Sequence, residues 1–253
     1  MPVIAVIPAR FASTRLPGKP LLRETGKYLI EHVYDRVRLC KNIDRCIIAT
    51  DDLRIADAAR SFDAEVAMTR PDHASGTDRI AEVIRAMSGR DDDVVVNIQG
   101  DEPEIEPLDL DRLVVRLRNS PDAVTATLAA PFASDADPRD PNCVKVVTNA
   151  RSLALYFSRS LIPYPRDADA RATWLLHLGV YAYRRAFLLS IASLPQSRLE
   201  QIEKLEQLRV LENGYAMAVE VVERAVPGVD TPDDYARFAD RWRSMERSKP
   251  PPP

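Results

Sequence analysis

Short β-branched runs alternate with longer amphipathic runs through the first hundred residues, and no other feature limits the fold of this chain so strongly. Val3–Ile7, Arg45–Ala49, Glu65–Met68 and Val94–Ile98 read as strands. Most are nearly continuous in apolar residues, the pattern of strands covered on both faces. Between them, apolar positions recur at helical spacing. Leu29, Ile30, Val33, Val37 and Cys40 share one face, as do Ile55, Ala58, Ala59 and Phe62, and again Ile80, Val83, Ile84 and Met87. Thr77 and Asp78 are candidate caps for the last of these helices. Strand–helix–strand alternation with short connections predicts an α/β fold with a mostly parallel central sheet and right-handed crossovers. In such sheets ligands sit beyond the carboxyl ends of the strands. Chemistry is therefore expected just after Ile7, Ala49, Met68 and Ile98.

The second half is less regular. Ala123–Ala129, Val144–Thr148, Leu153–Phe157 and Leu178–Tyr183 read as strands, and Leu199–Glu212 and Asp233–Arg243 as helices. No change of composition marks a linker across the 253 residues. The expectation is a single domain, 1–253, with a strand-rich insertion around 130–190. The proline run that closes the sequence predicts a flexible tail over 247–253.

Composition removes several classes. Hydrophobic residues make up 45% and charged residues 29%, with a formal net charge of −3. That balance excludes disordered and collagen-like chains and argues against coating nucleic acid or an anionic membrane. Cys40, Cys46 and Cys143 lack metal-ligand spacing and cannot all pair, so they read as thiols of a reducing compartment. No stretch approaches a membrane span, and the opening residues lack the cationic start of a signal peptide. The expected location is cytoplasmic, with no nucleic-acid or membrane partner.

The candidate chemistry lies in loops. The first strand runs into Pro8-Ala9-Arg10 and a segment holding Ser13, Arg15, Gly18 and Lys19. Arginine forks and a lysine point charge suit phosphate oxygens. The segment has neither a Walker A ending nor a dinucleotide fingerprint. Gln99-Gly100-Asp101-Glu102-Pro103 follows the strongest strand. A carboxylate there, facing a cationic loop, suggests a magnesium ligand, and Asp101 is the best placed because Gly100 lets the backbone turn. Asp230 lies in the tight turn Pro227–Pro232 and reads first as a helix cap. The loop Arg70–Arg79 could present backbone groups to a base or sugar, or simply connect a strand to a helix. Arg159, His177, Glu206 and Gln207 each have a structural reading beside a functional one.

Taken together, these segments resemble the 3-deoxy-manno-octulosonate (Kdo) cytidylyltransferases, also called CMP-Kdo synthetases. The similarity runs from residue 3 to about 240. It rests on PARFASTRLPGKPL at 8–21, RPDHASGTDR at 70–79, NIQGDEP at 97–103, PNCVKVV at 141–147, ALYFSRSLIPYPRD at 154–167, HLGVYAYRR at 177–185, LEQLRVLENG at 205–214 and VPGVDTPDD at 226–234.

The resemblance implies a nucleotidyltransferase, Rossmann-like fold and transfer of the cytidylyl group of CTP to Kdo for lipopolysaccharide biosynthesis, with Mg²⁺ as cofactor. It implies Ala9, Arg10, Ser13, Arg15, Lys19, Ser75 and Gly76 as the CTP-binding set. Asp101 and Asp230 become the metal ligands and, with Lys19, the catalytic set. Gln99, Arg159, His177, Tyr181, Glu206 and Gln207 become the sugar-acid pocket, Arg159 meeting the carboxylate. A homodimer is implied, with the insertion at the contact. Three alternatives stay open: a related acceptor such as the 8-amino analogue or a sialic acid, a nucleotidyltransferase acting on a sugar phosphate, and a nucleotide-binding protein without turnover.

Overall fold

A computed structural model describes residues 1–12, 16–73, 75–167 and 172–247. The first half follows the expected alternation closely. β1 (Val3–Ala9), α1 (Leu29–Arg38), β2 (Arg45–Thr50), α2 (Leu53–Arg60), β3 (Glu65–Met68), α3 (Gly76–Ala86) and β4 (Val94–Asn97) come in turn, with a 3₁₀ turn at Lys19–Leu21. β1 pairs in parallel with both β2 and β4, and β2 with β3. After β1 the chain builds outward through β2 and β3, then returns to the other side of β1 as β4. That reversal is a topological switch point, and it opens a crevice above the carboxyl ends of β1 and β4.

The strands are apolar because both faces are covered. Val94, Val96 and Ile98 join one core with residues of α1, α2 and α4 (Pro107–Arg118). Val95 joins the opposite core with Ile80 and Ile84 of α3 and Leu188 of α5 (Arg185–Ile191). A strand alternates its side chains between faces, so residues 95, 97 and 99 turn toward the α3 side.

The second half departs from a purely parallel plan. Among the described residues the sheet has nine strands, and its main path runs β3-β2-β1-β4-β8-β5-β9. β8 (Leu175–Arg184) runs antiparallel between β4 and β5 (Ala123–Pro131). β9 (Ala216–Val221) then pairs in parallel with β5. The strand-rich insertion expected over 130–190 consists of a β6 (Lys145–Thr148) and β7 (Ala154–Ser158) hairpin hung on the edge of β8, while β8 itself is a central strand. Lys145 anchors this region. It is fully buried, and its ammonium donates to the carbonyls of Asp140, Cys143 and Arg159 at 3.0, 2.6 and 2.5 Å.

Three expectations are corrected. The single helix over Leu199–Glu212 is two helices, α6 (Arg198–Glu203) and α7 (Gln207–Glu212), parted at Lys204, whose φ of 55° is left-handed. The stripe Leu199, Ile202, Leu205, Leu208, Leu211 repeats every three residues, and that period drifts off one face of a helix with 3.6 residues per turn. Ile202 is accordingly 64% exposed. The cap of α3 is Ser75, whose hydroxyl accepts from the Asp78 amide, not Thr77 or Asp78. The last helix, α8 (Pro232–Arg247), extends to Arg247, and the rest of the expected tail lies outside the described residues. The three cysteines are free, and no helix is long and apolar enough to cross a membrane among the described residues.

α8 is fastened to α1 through His32. This histidine is 2% exposed, meets Phe238 and Trp242 edge-on and shares a hydrogen bond with Thr25 Oγ1 at 2.7 Å. Burial, with Lys27 nearby, lowers its pKa to about 4. Below pH 6.5 the unfolded chain takes up a proton that the folded chain refuses. Stability is therefore lost as pH falls from about 6.5 toward 4. Between pH 7 and pH 5 this one group is expected to remove about 2 kcal/mol. Urea unfolding at both pH values checks it. His32→Gln should lose correspondingly less than the parent on acidification, and equal losses would remove His32 as the cause.

Candidate active site

The amino-terminal loop reaches the centre of the molecule through Gly18 and Lys19. Gly18 has a φ of +67°, a conformation that costs glycine little, and it begins the 3₁₀ turn. Lys19 points its ammonium between two segments far away in sequence. Nζ lies 2.6 Å from Asp101 Oδ2, 3.3 Å from Asp230 Oδ1 and 2.9 Å from the carbonyl of Val229.

Asp101 reaches this point because Gly100 packs tightly against β1. A Cβ on Gly100 would stand 3.3 Å from the Pro8 carbonyl oxygen and 3.6 Å from Ile7 Cγ2. Space, rather than a left-handed turn, is what this position requires. Asp230 is brought in by the turn before α8. The Val229 amide donates to the Asp101 carbonyl at 2.8 Å, and Asp234 caps Asp230 and Thr231. An ion pair between Arg241 on α8 and Glu104 ties the same two segments farther back.

Two carboxylates thus turn oxygens toward one cationic position. Among the described residues no cluster of three or more His, Cys, Asp or Glu could enclose a metal. Two carboxylates, with phosphate oxygens and water completing the shell, form the donor set that magnesium takes on a phosphate chain. The residues fit that ion. Glu102 beside them is different. Burial first, and then the charges of Asp101 and Asp230, push its pKa up to about 8.

Next to this cluster lies a cleft of about 370 Å³. Its floor is Asn97 at the end of β4 and Gln99 just beyond it, with Gly179, Tyr181 and Tyr183 of β8. One wall is Pro8, Ala9 and Arg10 with Gly76, Thr77 and Arg79, and the other runs from Lys204 to Val210. The walls touch where Thr77 Oγ1 donates to Glu206 Oε2 at 2.9 Å. Tyr181 donates to Gln207 Oε1 at 3.3 Å, and Gln99 Nε2 to the Gly179 carbonyl at 3.4 Å. The break at Lys204 turns α7 so that Glu206 and Gln207 face this cleft.

Of the residues expected from sequence, the structure gathers Ala9, Arg10, Gly76, Gln99, Tyr181, Glu206 and Gln207 around the cleft, and Lys19, Asp101 and Asp230 beside it. Ser75 stands behind the wall as the cap of α3. Ser13 and Arg15 lie outside the described residues.

Two expected residues sit elsewhere. Arg159 does not line the cleft. Its Nε donates to the Glu203 carbonyl at 2.7 Å and its guanidinium to the Pro141 carbonyl at 2.8 Å. His177 stands behind Tyr181, 5.6 Å between ring centres, bonded to Thr127 Oγ1 at 3.0 Å. Desolvation lowers its pKa to about 3, so the ring is neutral at physiological pH and supports the floor.

Sequence reasoning missed Asn97, Lys204 and Arg79. Arg79 pairs with Asp51 and donates to Thr69, which leaves it a wall component. The missed lysine could have been flagged only by the helix break, which periodicity concealed.

A switch-point cleft between a phosphate-type loop and paired carboxylates is the arrangement of an α/β nucleotidyltransferase, and comparison with known proteins narrows this. The sequence model of the family described as cytidylyltransferase matches residues 4–222. A 3-deoxy-manno-octulosonate cytidylyltransferase of Syntrophotalea carbinolica is 49% identical, covering 97% of this chain and all of the relative. An 8-amino-3,8-dideoxy-manno-octulosonate cytidylyltransferase of Shewanella amazonensis is 46% identical over 96% of this chain and 99% of the relative. The solved structure of a CMP:2-keto-3-deoxy-manno-octonic acid synthetase complexed with CTP superimposes with a TM-score of 0.91 at 43% identity, over 97% of this chain and all of that one. The chain belongs to the 3-deoxy-manno-octulosonate cytidylyltransferase family.

The tight fit at Gly100 gives a direct test of the carboxylate geometry. Gly100→Ala must push the Asp101 segment away from Pro8, because the added carbon meets backbone oxygen. Turnover is expected to fall at least about tenfold, a misplacement effect, while circular dichroism stays that of the parent. Unchanged turnover would show that Asp101 does not need this backbone path.

Proposed function

We propose that this protein transfers the cytidylyl group of CTP to the anomeric hydroxyl of Kdo, releasing diphosphate. The observation that carries this reading is the meeting of Lys19 with Asp101 and Asp230 beside a cleft floored by hydrogen-bonding side chains. The hydroxyl attacks the α-phosphorus in line, and negative charge grows on the departing diphosphate. Lys19 supplies fixed positive charge next to that path. Ala9, Arg10, Ser75 and Gly76, with Ser13 and Arg15 of the same loop, are the proposed CTP contacts.

Asp101 and Asp230 are the proposed ligands of Mg²⁺, which when bound neutralises triphosphate oxygens and lowers the pKa of the attacking hydroxyl. Gln99, Tyr181, Glu206 and Gln207 are the proposed readers of sugar hydroxyls. A wrong sugar leaves such groups desolvated and unpaired, which gives strong discrimination. His177 holds Tyr181 from behind. The substrate carboxylate needs a cation. Arg10 and Lys204 line the cleft without an ion-pair partner among the described residues, and Arg159 holds the wall behind Lys204 through Glu203.

The relatives named for the 8-amino sugar support a second reading, in which the acceptor carries an ammonium. Glu206 is the one carboxylate in the cleft lining among the described residues. Its Oε2 already accepts from the Thr77 hydroxyl, and Arg10 and Lys204 line the same cleft. The positive cleft therefore favours the hydroxyl-bearing acid. We further propose a cytoplasmic homodimer, with the β6–β7 region at the contact, serving lipopolysaccharide biosynthesis.

Diphosphate release from CTP with Mg²⁺ tests the reaction, run beside Kdo, the 8-amino sugar and a sialic acid. Release is expected to be fastest with Kdo. Asp101→Asn should lower turnover by about 10²-fold or more while binding of CTP persists. No release with any sugar acid would support a binding protein without turnover. Full turnover in Asp101→Asn at saturating Mg²⁺ would take Asp101 out of the reaction.

A further inference from the structure

Asn97 ends β4, in register with Val6 on one side and Tyr181 on the other. Its neighbours Val94, Val95 and Val96 are apolar and fully buried, as a central strand requires. An asparagine there is out of character. It is only 2% exposed, and its Oδ1 is buried without a hydrogen-bond partner among the described residues. Among the described residues, Asp93 Oδ1 and Arg116 Nε are also buried without a hydrogen-bond partner, but neither residue lines the cleft. Asn97 does, in the floor beside Gln99, Tyr181 and Tyr183.

A desolvated carbonyl without a donor destabilises the free protein, and a carboxamide both accepts and donates. A sugar hydroxyl does the same, so the two are complementary. The strand's alternation puts Asn97 on the same face as Gln99, one step deeper into the cleft. Its cross-strand partner Tyr181 stands on the side away from the nucleotide loop.

We propose that Asn97 is a specificity-determining residue that hydrogen-bonds a hydroxyl of the sugar acid at the floor of the cleft. The inference rests on the sugar-acid reading given above and deepens it. Without substrate the amide oxygen is left without a donor among the described residues. With the cognate sugar it is satisfied, and a sugar lacking that hydroxyl leaves it buried and unpaired, which is how polar sites reject analogues.

Asn97→Leu keeps the branched outline of the side chain and removes the amide. The KM for the sugar acid is expected to rise about 10- to 100-fold, with the KM for CTP unchanged within about twofold. The variant's melting temperature without ligand should equal or exceed the parent's, because a buried unpaired group has gone. A merely structural asparagine predicts the opposite, a lower melting temperature with unchanged KM. A rise in the KM for CTP instead would assign Asn97 to the nucleotide and overturn the proposal. Asn97→Val, which also lacks the acceptor oxygen, provides a second variant and should show the same split. Monodeoxy analogues of the sugar acid complete the test: for one of them, parent and Asn97→Leu should have equal KM. No such analogue in a full series would also overturn the proposal. If the parent protein converts no sugar acid at all, the reading of the reaction itself fails, and ligand-free melting still reports on Asn97 separately.

Discussion

One lysine holds the centre of this molecule together. Lys19 arrives from the loop after β1, Asp101 from the loop after β4 and Asp230 from the turn before the last helix. Two carboxylates this close repel each other unless a cation lies between them. The ammonium fills that place in the free protein. The rest of the architecture can be understood as the means of delivering these three groups. The switch point between β1 and β4 sets two of them side by side, and Gly100 allows the β4 loop to lie against Pro8. The α8 helix, fastened through His32 and through the Arg241–Glu104 pair, brings the third.

The cleft beside this cluster owes its shape to the non-parallel part of the sheet. β8 enters antiparallel next to β4 and carries Gly179, Tyr181 and Tyr183 onto the floor. The opposite wall depends on a helix interrupted at a residue with positive φ. The buried pair Arg209–Glu200, at 2.5 Å, clamps α7 to α6 on either side of that interruption. Breaking one partner of such a pair leaves a buried charge uncompensated. Glu206 and Gln207 are therefore held by tertiary contacts rather than by the local preference of the sequence.

The parallel half of the fold was legible because strands buried on both faces must be apolar and their crossover helices must be amphipathic. All four of its strands and the faces of its three helices read directly. β9 was not legible, since Ala216 to Val221 is short and mixes Glu220 into an otherwise apolar run. The α6–α7 break was hidden by leucines spaced every three residues, which imitate a single helix. Among site residues, the motif similarity named the three charged groups that the structure brings together and seven residues of the cleft lining. It put Arg159 on the substrate, whereas its guanidinium is engaged by backbone carbonyls behind the wall. Asn97 was invisible as a site residue because burial and an unsatisfied oxygen are properties of three-dimensional packing.

A cation shared between Asp101 and Asp230 is the centre of the site. The most direct measurement is a crystal structure of the protein with CTP and Mn²⁺, using the anomalous signal of manganese to locate the ion. The expected result is an anomalous peak coordinated by both carboxylates and by phosphate oxygens of CTP, with the Lys19 ammonium moved onto the triphosphate. A bound CTP whose metal touches neither aspartate, with Lys19 still lodged between them, would contradict it.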